Sequence, residues 1–388
     1  MTTRAKGRRA LLGVGLALAA LAATIALAAC GSGIEQPPAE AAGTGKSDEV
    51  KIEGKPSGEL VISNWPLYID KKTVGDFEAA TGVNVKYVED VNSNEEFFAK
   101  MQPLLAEGKS GGRSLFVVTD WMAKKMREFG YLQEFEPAAL PNFEKNLVDN
   151  LRGVSYDPGR DFAAPWQSGM TGIIVNKEQA PEIHSICDLF DPKYKGKIDM
   201  LNELRDTVPL VMKCMGIDPE KATEADWMKA IEKIKGAAES GQIRRFTGND
   251  YSTDLTNGNV VAAIGWSGDA VQLQADNPNI EWRMPTEGCI LWSDNMVIPV
   301  GAPNPTAAEA WINYVYDPVH QAQIEAYVNY VSPVEGTKEV LLKKEPEIAN
   351  NKLIFPPASF TRKCSIQPSP TPEEERNINR AFNAVLNG

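Results

Sequence analysis

From residue 58 onward the chain alternates short apolar runs with stretches whose large apolar side chains recur every three or four positions. Leu60-Val61-Ile62-Ser63 predicts a strand, and Val74, Phe77 and Ala80 fall on one side of a helix over 72–81 that Gly82 closes. Residues 83–88 alternate apolar and polar, as a half-buried strand does, and 94–107 predict the next helix. A third pair follows, with a strand over 114–118 and a helix over 121–129. A second set comprises strands over 172–175, 197–201 and 260–266 around a long helix at 224–238. The last third is mainly helical, clearest at 307–316 and 320–327. Strands separated by helices at this spacing imply parallel crossover units, hence an α/β fold, and no solenoid repeat is present.

The chain has 388 residues, which gives room for two or three domains, and its 43% hydrophobic content supports a sizeable core. Its net charge of −12 argues against a nucleic-acid-binding face, which must neutralise phosphates. Two histidines leave little scope for His-based metal or acid–base chemistry. His184 and His320 stand alone and read as structural or surface residues.

The first thirty residues carry most of what sets this chain apart from an intracellular one. Arg4, Lys6, Arg8 and Arg9 form a basic head, residues 10–29 are apolar and small, and Leu27-Ala28-Ala29-Cys30-Gly31 follows. That ending resembles the lipobox of bacterial lipoproteins, in which the Cys thiol takes the lipid and the signal is cleaved before it. Cys30 is therefore the expected lipidation site, and the protein is expected outside the cytoplasm, lipid-anchored to the cell membrane. About twenty apolar residues could equally span a bilayer, but the polar stretch directly after Cys30 favours cleavage. Arg8-Arg9 is a poor match to a twin-arginine signal. Loss of the segment removes four basic and no acidic residues, leaving 36 against 52, a net of −16. Residues 31–57, rich in Gly, Pro, Ala and Glu, read as a flexible linker. Gly43-Thr44-Gly45-Lys46-Ser47 within it is no phosphate loop, because position 40 is Glu and no strand precedes it.

Four further cysteines, Cys187, Cys214, Cys289 and Cys364, contain no Cys-x-x-Cys pair. An oxidising exterior allows three pairings or buried free thiols. Cys187–Cys214 and Cys289–Cys364 are preferred, because each pair stays within one region of the fold.

Open parallel sheets bind ligands at the carboxyl ends of their strands, and here those segments share a composition. They read Asn64-Trp65-Pro66-Leu67-Tyr68, Val118-Thr119-Asp120-Trp121, Leu201-Asn202-Glu203-Leu204-Arg205-Asp206, Gly265-Trp266-Ser267-Gly268-Asp269 and Leu291-Trp292-Ser293-Asp294. Four of the eight tryptophans sit in them, three within three residues of an Asp. Aromatic faces mixed with carboxylates make a cation cage, each face worth about 0.5–2 kcal/mol to an ammonium. Trp227, Trp282 and Trp311 lack such company and read as core. Glu373-Glu374-Glu375-Arg376 reads as the acidic first turn of a helix.

These residues carry a resemblance. From about Gly58 to the C-terminus the chain resembles the substrate-binding proteins of bacterial spermidine/putrescine ABC transporters. The matching elements, in order, are Asn64-Trp65-x-x-Tyr68, Val117-Val118-Thr119-Asp120-Trp121 before a helix ending Lys125-Met126, and Asp191-Pro192-Lys193-Tyr194-Lys195-Gly196-Lys197-Ile198. Ile264-Gly265-Trp266-Ser267-Gly268, Pro285-x-Glu287-Gly288-x-Ile290-Leu291-Trp292-x-Asp294 and Asn329-Tyr330-x-Ser332-Pro333 complete the set.

The resemblance implies a two-lobed, type II periplasmic-binding-protein-like fold, with two α/β domains joined by crossing hinge strands and a ligand cleft between. One lobe would comprise 58–165 and 293–338, the other 166–292 and 339–388, with Gly169-Met170-Thr171-Gly172 at a crossing. Closure by hinge rotation goes with that architecture. By position, Trp65, Tyr68, Trp121, Trp266, Trp292 and Tyr330 would line the cleft. Asp294 would hold one amine, Glu203 and Asp206 the other end, and Thr119 and Gln367 would add hydrogen bonds. Asp120 and Asp269 are additional acids near the site. Trp121 stands where a smaller Tyr is common, Thr119 where Ser is usual, and Glu203 where Asp is expected.

The implied protein is a monomer that captures a polyamine and delivers it to permease subunits served by a cytoplasmic ATPase. It uses no cofactor, binds no metal and no nucleic acid, and is not an enzyme. The alternatives are a protein of the same fold for another solute and a secreted hydrolase. Arg205 is the only basic residue in the strand-end segments, which disfavours an anionic ligand. No Gly-x-Ser-x-Gly or His-Glu-x-x-His motif is present, although a Glu203/Asp206 pair could serve a glycosidase.

Overall fold

A computed structural model describes residues 56–388. The signal-like segment with Cys30, and the linker as far as residue 55, lie outside the described residues. Among the described residues, ten strands are present: β1 (Glu59–Asn64), β2 (Asn84–Glu89), β3 (Leu115–Thr119), β4 (Ala164–Asn176), β5 (Ile198–Leu201), β6 (Ile243–Thr247), β7 (Ala262–Trp266), β8 (Ile280–Arg283), β9 (Ile290–Val297) and β10 (Ser365–Ile366). Their order is β2-β1-β3-β9-β4-β7-β5-β6, with β10 beside β9 and β8 beside β4.

The order resolves into two parallel groups of three, β2-β1-β3 and β7-β5-β6. The long strands β9 and β4 run antiparallel to each other and to β3 and β7, and so join the two groups. The first part of β4 pairs with β9 and its last part with β7 and β8, so one strand serves both halves. This is the mixed α/β, two-lobed arrangement expected.

Local chemistry explains the elements that frame the cleft. Asp70 caps the helix Lys71–Thr81 by accepting from the Lys72 amide, and Gly82 ends it in a left-handed conformation at φ 77°. Ser93 caps the helix Asn94–Ala106, whose first turn carries Glu95 and Glu96. The C-terminal helix Pro372–Leu386 opens with a capping box between Thr371 and Glu374, with the acidic first turn read from sequence. Strands β3, β5 and β7 are buried throughout, as crossover sheets covered on both faces require. Trp166, Trp227 and Trp311 are among the largest fully buried side chains, and Trp282 is also in the core.

Both preferred disulfides are present. Cys187–Cys214 ties the end of the helix Leu204–Cys214 to the turn at Ile186–Phe190, and Cys289–Cys364 joins the residues just before β9 and β10.

Candidate functional site

The carboxyl ends of β1, β3, β5 and β7 and the middle of β9 meet at one cavity. Asp294 lies at its base. It projects from β9, where the antiparallel register sets it directly opposite Thr119 of β3. Thr119 Oγ1 donates to Asp294 Oδ1 at 2.9 Å and the Tyr68 hydroxyl to Oδ2 at 3.0 Å. Burial pushes the Asp294 carboxyl up to about 7 against the pull of these two donors.

Asp206 sits in the first turn of the helix Leu204–Cys214, which follows β5. Its Oδ1 accepts from Thr171 at 2.6 Å and from the Gln367 amide at 3.2 Å, and burial raises it to about 6. Glu203, just before that helix, accepts from the Asn94 backbone N–H at 3.0 Å. Burial, and then the neighbouring Glu95 and Asp206 charges, hold Glu203 well above the usual carboxylate range. Asp269, in the first turn of the helix Ser267–Asp276, accepts from Tyr330 and Tyr251 hydroxyls at 2.6 Å each and from Asn249 at 2.8 Å. It too is raised by burial.

Rings close the space between these acids. Trp65 meets Trp266 edge-on at 6.1 Å, and Tyr330 stands 5.2 Å from Tyr68 and 5.5 Å from Trp292. Trp292 Nε1 donates to Thr171 at 3.1 Å, linking the ring to the Asp206 network. Two tight contacts set the rings. A Cβ on Gly169 would overlap Trp292, and one on Gly268 would overlap Tyr330. Asn329 ends the helix Pro318–Val328 at φ 59°, a left-handed conformation Asn tolerates, and the next residue, Tyr330, enters the cleft.

Of the thirteen residues singled out from sequence, eleven border this cavity; Asp120 and Trp121 do not. Thr119 faces the cavity from the end of β3, and the chain turns there into the helix Asp120–Glu128, which carries the next two side chains away. Asp120 accepts from the Tyr156 hydroxyl at 2.7 Å and Asn295 at 2.8 Å, and the Arg205 guanidinium lies 3.6 Å from the Trp121 ring centre. Trp121, expected to line the cleft, thus stands behind it, and Asp120, expected as an additional acid near the site, does not border the cavity.

Pro66, Asn94 and Asn249 also border the cavity and were not singled out. Asn94 begins the helix that follows β2 after a four-residue loop, so its place beyond a strand end was the available signal. Asn249 follows β6, whose Ile-Arg-Arg-Phe-Thr sequence hides a strand. Among the described residues, no group of three or more His, Cys, Asp or Glu is arranged to hold a metal ion. The site offers carboxylate acceptors, hydroxyl and amide donors, and aromatic walls, a chemistry of cation capture.

The chain is similar to several known proteins. A curated Salmonella typhimurium protein, the spermidine/putrescine-binding periplasmic protein, is 28% identical over 307 residues, spanning 78% of this chain and 85% of its own. The putrescine/agmatine-binding protein of Pseudomonas aeruginosa is 28% identical over 314 residues, 76% and 82% of the two chains. The solved spermidine/putrescine ABC transporter substrate-binding protein of Streptococcus pneumoniae superposes with a TM-score of 0.69 at 25% identity, covering 84% of this chain and 98% of that one. Residues 72–356 match the profile of the bacterial extracellular solute-binding proteins, and the chain belongs to that family.

Proposed function

We propose that the cleft captures a short linear polyamine, putrescine or spermidine, and that the protein hands it to an ABC importer without turnover. The observation that carries this reading is the set of four buried carboxylates, Glu203, Asp206, Asp269 and Asp294, around one aromatic-walled cavity. An ionised carboxylate accepts about four hydrogen bonds, and Asp206 and Asp294 each use two within the protein. Ammonium ends satisfy what remains, while the rings cover the methylenes. Burial of the acids is compensated once a cation joins them. The names of the curated relatives support the same ligand class.

The lobes in this reading are 58–165 with 293–338 and 166–292 with 339–388, a division supported by the two parallel strand groups. Cys30 would carry the lipid that holds the protein at the membrane, and loss of acylation in Cys30→Ser tests that part.

Calorimetry on residues 31–388 with polyamines, sugars and amino acids tests the ligand. One-to-one binding of putrescine or spermidine is expected. A micromolar Kd requires only about 8 kcal/mol. Silence with every polyamine overturns the reading, and release of a chemically altered product would replace capture with catalysis.

A further inference from the structure

Outside the cavity, a second group of charges bridges the two halves of the molecule. Arg205, between Glu203 and Asp206 in sequence, is 2% exposed. Its guanidinium lies 3.6 Å from the Trp121 ring centre, 3.3 Å from Glu375 Oε1 and 3.6 Å from Glu95 Oε1. The same Glu375 oxygen accepts from Lys125 Nζ at 3.0 Å. Lys125 Nζ also stands 5.1 Å over the Phe98 ring.

The topology divides these partners. Glu95 and Phe98 lie on the helix between β2 and β3, and Trp121 and Lys125 on the helix after β3, all in the first half. Arg205 is on the helix after β5. Glu375 is on the C-terminal helix, which belongs with the second half. There Asn377 donates to Glu224 of the helix Glu224–Glu239, and Phe382 packs against Phe246 of β6. Three contacts therefore cross between halves: Arg205 to Trp121, Arg205 to Glu95, and Lys125 to Glu375.

None of these side chains borders the cavity. Two cations and two anions make the group neutral, and all four are largely shielded, Lys125 and Glu95 being the most open at 27% and 28% side-chain exposure. Shielding keeps salt from screening such pairs as it does exposed ones. The planar, weakly hydrated guanidinium suits burial against a ring. Rotating the halves apart would break all three crossing contacts and return the charges to water.

We infer that the group of Glu95, Lys125, Trp121, Arg205 and Glu375 is a closing latch, a set of contacts away from the ligand that raises affinity and slows release by stabilising the closed cleft. The inference rests on the cleft being the capture site. Removing a shielded charge pair acts chiefly on dissociation.

A double-mutant cycle tests it, with putrescine as the probe and Glu375→Gln and Lys125→Met as the variants. Each single change is expected to weaken binding about 3–10-fold, mainly through faster dissociation. The double variant is expected to bind no more weakly than the product of the singles divided by about three. Lys229→Met, which breaks a pair confined to one helix, is expected to leave Kd unchanged. Effects that multiply independently, or an unchanged Kd in Glu375→Gln, overturn the latch. If putrescine does not bind the unaltered protein, the polyamine reading falls and X-ray scattering of the free protein decides the latch. Glu375→Gln is then expected to have the larger radius of gyration, and equal radii overturn it.

Discussion

Two turns of this protein look alike in sequence and do different work. Trp266-Ser267-Gly268-Asp269 follows β7, and Thr119-Asp120-Trp121 follows β3; each joins a strand to a helix and carries a tryptophan and an aspartate. In the first, both Trp266 and Asp269 border the cavity. In the second, only Thr119 does, while Asp120 bonds Tyr156 and Trp121 lies under Arg205. The difference is phase. Trp266 ends its strand and Asp269 comes three residues later, almost one helical turn, so both side chains point the same way. Asp120 and Trp121 occupy the first two helical positions after Thr119 and swing off to the side. Composition at a strand end identifies a candidate site, and the count from the last strand residue decides which side chains enter it.

The sharpest way to break the comparison is at Asp294, the acid bordering the cavity that does not depend on a turn. Asp294→Asn is expected to weaken putrescine binding by more than about 1.5 kcal/mol, through loss of a charge-assisted hydrogen bond in a buried site. Calorimetry measures it, and unchanged affinity would remove Asp294 from the site. Next come the two turns themselves. Asp269→Asn is expected to cost about tenfold in affinity, whereas Asp120→Asn should lower the melting temperature with affinity preserved. Equal affinity losses in the two variants would erase the distinction.

A smaller effect comes from pH. Asp294 and Asp206 are raised to about 7 and 6 in the free protein. A raised carboxyl holds its proton more tightly folded than unfolded. Its contribution to the free protein's stability therefore declines as pH rises from the ordinary carboxylate range through the folded value. Binding runs the other way, because an ammonium favours the ionised acid. Proton release on binding, and affinity that falls from pH 7 to 6, are expected; calorimetry in buffers of different ionisation enthalpy reads both. Binding with proton uptake would contradict the assignment of these acids to the cation.

Much of this was legible in the sequence because the strands that carry the site are buried on both faces and read as apolar runs. Leu115-Phe116-Val117-Val118 and Ala262-Ala263-Ile264 left no ambiguity of period. Strands whose apolar run is interrupted were harder to read. In β6, Arg244 and Arg245 are exposed and break the run, concealing both the strand and Asn249 beyond it. The first part of β4 contains Pro165, Trp166, Gln167 and Ser168, with a register shift between Pro165 and Gln167, and its pattern is neither apolar nor alternating. Orientation was the other hidden quantity. Nothing in Asp120-Trp121 states that an arginine some 80 positions away occupies the ring face; only the meeting of the two halves brings Arg205 there.

Asp294 has a further property that follows from its strand. β9 pairs with β3 of the first half on one side and with β4, which serves both halves, on the other, so under the proposed rotation it would lie near the axis. For a given angle, a point near an axis travels a short arc and a distant point a long one. Under the proposed rotation, Asp294 and Thr119, on directly paired strands, would therefore keep their spacing while Glu203 and Asn94 would move apart or together. Under the proposed closure, one end of the site would be a fixed mooring and the other a moving jaw. A flexible chain of variable length suits such a vice better than a rigid disc would.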